Sequence, residues 1–134
     1  MIRKTLLALA LAAAAVAPAS AAEVIDSYNA WLSPADHRNS NGERLTTAAA
    51  VIRQDRANFH KFGVRDPGDD DDTYFGDVNN RAVLERMLND GSSDPGVLQR
   101  IVAGPCRIHV DVYRSNHHGD YVVVTLLGAS SGGY

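Results

Sequence analysis

The sequence predicts an α+β fold: about four helices, then a C-terminal antiparallel β-hairpin packed on the same core. Through the first three quarters of the chain, apolar residues recur every three or four positions, as on one face of a helix. Gly63, Gly91 and Gly104-Pro105 punctuate that pattern where helices should stop. From Cys106 the period drops to two, with Ile108, Val110 and Val112 alternating with Arg107, His109, Asp111 and Tyr113. That alternation marks a half-buried strand.

In chain order, Arg3 and Lys4 precede an apolar run from Leu6 to Val16, and small residues follow to Ala22. A basic start, a short apolar segment and the Ala19-Ser20-Ala21 pattern predict a signal peptide over residues 1–22, cut near Ala21 or Ala22. The run is short of the roughly 20 apolar residues that span a bilayer. The expected product is an exported, periplasmic or secreted protein with no membrane anchor after cleavage. It comprises a single domain over residues 23–127 and a flexible tail over 128–134.

Val24, Ile25, Tyr28, Trp31 and Leu32 match helical spacing and predict a first helix, ended by Ser33-Pro34. A polar loop follows from Asp36. The central helix is expected from Glu43 to Phe62, with Leu45, Ala48, Ile52, Phe59 and Phe62 on its apolar face. Asp55 stands on that face where another apolar residue belongs, with Arg56 beside it. A charge packed inside a protein costs several kcal/mol unless it is paired and hydrogen-bonded. Asp77 or Asn79 can cap the next helix, carrying Val83, Leu84, Met87 and Leu88 to Gly91. Asp94-Pro95 opens the last helix, with Val97, Leu98, Ile101 and Val102 on one side. Tyr121 to Leu127 completes the hairpin, whose tip is Asn116, His117 and His118. Cys106 is the only cysteine, and its strand parity predicts burial.

The strongest chemical signal is an acidic loop after the central helix. Asp66, Asp69, Asp70, Asp71, Asp72 and Asp77 fall within twelve residues that carry no base. The whole chain has a formal charge of −3, and losing a leader with two bases and no acid takes it to −5. The loop alone supplies −6, so the acidity is local. Such a surface disfavours nucleic acid and favours a protein partner with a basic surface.

Clustered carboxylates are also hard oxygen donors for Ca²⁺, with Asp69, Asp71 and Asp72 as candidate ligands. Neither register of the loop fits an EF-hand, because Tyr74 falls at the glycine position in one and Ala82 at the last ligand position in the other. Asp55 and Arg56 read either as a structural ion pair or, with His60 and the loop aspartates, as a binding site, and Arg56 and His60, four apart, share a helix face. On the hairpin, His109 and Asp111 share a strand face, but His117 and His118 lie too far along to join them at one ion. Cys106 and His109 fall on opposite strand faces, so they do not form a nucleophile–base pair. The sequence predicts a non-enzymatic binding module. Its two rivals are an exported hydrolase built on Asp55, His60 and a loop aspartate, and a structural subunit that pairs through its hairpin edge.

Overall fold

The computed structural model describes residues 22–115 and 119–128, which form two layers. One layer is an antiparallel sheet ordered β1–β2–β3, made of Glu23–Leu32, Cys106–Arg114 and Tyr121–Leu127. The other comprises helices α1 (Ala48–His60), α2 (Val78–Ala82), α3 (Leu84–Asp90) and α4 (Pro95–Ala103). The architecture is α+β, with the hairpin at the C-terminal end and a third strand beside it. Residues 1–21 of the predicted leader, the hairpin tip at Asn116, His117 and His118, and the tail beyond Gly128 lie outside the described residues.

The first predicted helix is instead strand β1. Tyr28, Ala30 and Leu32 point into the core and Trp31 points the other way, which is period two rather than 3.6. Its residues pair with β2 from Glu23↔Arg114 to Leu32↔Cys106. This pairing gives the hairpin the extra strand that a lone hairpin needs for stability.

The central helix also starts later than predicted, at Ala48. Thr47 caps it by accepting from Ala50 N, while Leu45 N donates to the His37 carbonyl and holds the preceding residues out of the helix. Phe62 lies beyond the helix end and is exposed. The single helix expected up to Gly91 is broken at Val83, which is exposed at φ −100° and ψ 11°. The predicted boundaries of the last helix stand: Asp94 accepts from Gly96 N, and Gly104 follows its last turn.

The core lies between the layers. Tyr28, Leu32, Ile108, Val110, Val112, Val122 and Val124 from the sheet meet Val51, Ile52, Leu84, Met87 and Ile101 from the helices. Cys106 is buried among them, and burial pushes its thiol up against the pull of Arg100.

A short 3₁₀ turn, Pro34–His37, is tied into this core. Both ring nitrogens of buried His37 meet carbonyl oxygens, Ser33 O at 2.7 Å and Ile101 O at 2.8 Å. Ile101 is among the last four carbonyls of α4, which lack a partner within the helix. Arg44 donates to the next two, Val102 O and Ala103 O.

Both outer strands are covered along part of their edges. On β3, the Gly91 backbone sits so close to Val122 O that a Cβ has no room, and Val124 N donates to Ser93 Oγ at 3.0 Å. On β1 the cover is the acidic loop.

Candidate functional site

Residues 27, 29 and 31 of β1 turn their N–H groups toward the free edge of the sheet. Each of the three donates to an aspartate: Ser27 N to Asp26, Asn29 N to Asp70 and Trp31 N to Asp69, at 2.8–3.0 Å. Asp70 N donates back to the Asn29 carbonyl at 2.8 Å. Unpaired edge amides invite pairing with another chain, and carboxylates are acceptors only, so this contact blunts the edge. The acidic loop therefore closes the sheet.

The other loop aspartates are similarly engaged, with one exception. The second oxygen of Asp69 accepts from Asp66 N. Asp72 is buried; one oxygen accepts from Arg56 Nη1 at 2.7 Å and meets His60 Nε2 at 2.8 Å, and the other accepts from Phe75 N. Asp77 caps α2 through Asn79 N. Asp66 is half-buried, and burial with the nearby Asp36 raises its carboxyl despite a hydrogen bond from Ser33. Asp71 is exposed. Of the three candidate Ca²⁺ ligands, Asp69 and Asp72 thus point to different partners while Asp71 is exposed, and among the described residues no three His, Cys, Asp or Glu side chains converge as metal ligands.

Asp55 and Arg56 are buried together. Arg56 has no exposed surface; its Nε donates to Asp55 at 2.8 Å and its Nη1 also donates to the Asp70 carbonyl. Its guanidinium lies 4.2 Å over the Tyr28 ring and 4.6 Å over Phe59, a cation–π arrangement strengthened by desolvation. Burial works against the Arg56 charge, but Tyr28, Asp55 and Asp72 outweigh it and hold the group above its ordinary range. Burial raises the Asp55 carboxyl well above its ordinary value, with Arg56 opposing and Asp36 adding to the rise. Arg56 Nη2 and Tyr28 Oη lack hydrogen-bond partners among the described residues.

The structure leaves Asp66, Asp69, Asp71 and Asp77 out of one cluster and brings Asp55, Arg56, His60, Asp70 and Asp72 together in it. It places them in a core network that ties α1 to the loop. None of the four clefts described on the surface is lined by Asp55, Arg56 or His60.

The uncovered sheet face is different in kind. Its rows run Trp31–Arg107–Leu127, then Asn29–His109–Thr125, then Ser27–Asp111–Val123, with Tyr113 and Tyr121 stacked at 5.2 Å beyond them. His109 is bracketed by Asn29 Oδ1 at 2.7 Å and Asp111 at 2.9 Å. Arg107 is exposed and, among the described residues, its side chain has no hydrogen bond or ion pair. It lies against Gly68, whose φ of +91° suits glycine.

Two shallow clefts share Trp31 and Arg107. One, of about 290 Å³, extends to Arg100, Pro105 and Leu127; the other, of about 420 Å³, extends to Pro67 and Gly68. Sequence reasoning missed Arg107 because it is one of several charges alternating along a strand. Pairing β1 with β2 is what sets it beside Trp31. No protein-family model, no curated protein and no solved structure matches this chain.

Proposed function

We propose that this protein is a small exported binding module, and that its binding surface is the uncovered sheet face. One contrast carries the reading. The loop carboxylates are largely engaged with backbone amides and with Arg56, whereas Arg107 stands unpaired beside half-buried Trp31 over two clefts. An aromatic surface with one free guanidinium suits an anionic ligand with an apolar face. The basic leader and its apolar run support export. Binding is favoured over hydrolysis because Asp55 and His60 serve the core network rather than a cleft.

The test is amide shift mapping of the ¹⁵N-labelled chain with Ca²⁺, an oligolysine peptide, citrate and glucuronate. Shifts clustered at residues 29, 31, 107, 109 and 125 on adding an anion support the sheet face. Shifts confined to residues 70–72 with Ca²⁺ or oligolysine return the site to the acidic loop. No shift with any of the four overturns this reading.

A further inference from the structure

The row Trp31–Arg107–Leu127 combines three chemistries: an indole, a free guanidinium and an aliphatic rim. The two clefts meet at Trp31 and Arg107, which line both, and are open to solvent, each roomy enough for one pyranose ring. Resting on the sheet-face reading above, we propose that they bind an acidic oligosaccharide. A uronate carboxylate sits on Arg107, the C–H face of its ring lies against Trp31, and the neighbouring ring occupies the second cleft.

Three features select this ligand. A guanidinium holds a carboxylate through two parallel N–H···O bonds, and an indole presents a flat apolar face to a sugar ring. A peptide strand adding to β1 would need the edge amides of Asn29 and Trp31, and Asp70 and Asp69 already accept from both. A polyphosphate chain carries closely spaced charge and would run past Asp66 and Asp69, which flank the Pro67–Gly68 wall of the second cleft. Arg100 of the first cleft is committed to the Gly104 and Pro105 carbonyls, so among the described lining residues Arg107 is the cation left for a ligand with an isolated negative charge. In the next row His109 is held between Asn29 Oδ1 and Asp111, leaving the Asn29 side-chain N–H groups and the exposed Thr125 hydroxyl for sugar hydroxyls.

Trp31 is the only tryptophan in the chain, so its emission reports on the site directly. The experiment titrates the purified protein with glucuronosyl-xylose, with neutral xylobiose, and with benzoate as a carboxylate that is not a sugar. The expected result is a saturable change in emission with glucuronosyl-xylose in the millimolar range or below. Xylobiose should bind at least about tenfold more weakly, and Arg107→Gln should weaken the acidic sugar by a similar factor. Arg107→Lys, which keeps the charge but loses the fork, should fall between, and Arg53→Gln on the exposed side of α1 should leave binding unchanged. Thermal melts of the Arg107 variants that match the parent separate lost binding from lost fold. The proposal is overturned if xylobiose binds as well as the acidic sugar, if Arg107→Gln has no effect, or if glucuronosyl-xylose gives no saturable change. Saturation by benzoate alone would overturn the saccharide while keeping the sheet face as the binding surface.

Discussion

Asp55 shows how much a single residue discloses through its place in a sequence pattern. A carboxylate at an apolar position on a helix face must be buried and paired, and both are true: it is 1% exposed and bonded to Arg56. Arg56 is less legible, because a long side chain beside a packed face ordinarily extends its charge into water. Its burial depends on Tyr28 from β1 and Asp72 from the loop, neither of which is near it in sequence. The raised Asp55 carboxyl carries a pH consequence. The folded state holds the Asp55 proton more tightly than the unfolded chain does, so this group's stabilising contribution is complete below the ordinary value of 3.8. It is lost as pH rises through the higher folded value. Half-buried Asp66 acts in the same direction, discounted for solvent screening. Urea melts from acid to neutral pH should therefore show Asp55→Asn with a flatter dependence of stability on pH than the parent. Parallel curves would mean that Asp55 is not raised.

Among the elements, β1 contradicts its sequence pattern and the acidic loop is legible only in part. Val24, Ile25, Tyr28, Trp31 and Leu32 all fit helical spacing, a pattern that counts Trp31, the largest residue of the set, as core. The true inward row contains Ala30, too small to advertise itself, and Trp31 belongs to the opposite face. The loop's charge is plain in the sequence. Its use is not, since its acceptors meet amides 38 and 41 residues earlier in the chain. Asp69→Ala with Asp70→Ala should cost about 1–3 kcal/mol, the usual penalty for stranded polar groups. The double variant should also lose amide protection at residues 29 and 31 and sediment partly as dimer or larger species through the freed edge. The corresponding asparagine pair, which retains an acceptor oxygen at each position, should sediment as the parent does, with a smaller loss of stability. Equal behaviour of the two pairs would show that charge rather than hydrogen bonding is what the loop supplies.

For the whole molecule, the α+β class, the hairpin strands and the last helix follow from periodicity and punctuation, because these are local signals. The pairing of β1 with β2 is not local: Leu32 meets Cys106 across most of the domain. Helices and sheet share one core and are further tied by the His37 contact to α4 and by the Arg56–Asp72 bridge. Unfolding should thus be all-or-none. Trp31 emission, which reports on β1, and far-UV circular dichroism, dominated by the helices, should trace superimposable urea transitions. Separate midpoints would show that the sheet and the helical layer come apart independently.

The order of the strands also governs timing. The middle strand of the sheet, β2, is encoded near the C-terminal end, after all four helices. Until it emerges, β1 has no partner strand and the helical layer lacks two of the three strands it covers, so the sheet and most of the core form late in synthesis. A polypeptide that stays uncommitted until its last quarter can still be threaded through a membrane pore. A core completed only by the last quarter of the chain is compatible with the proposed export.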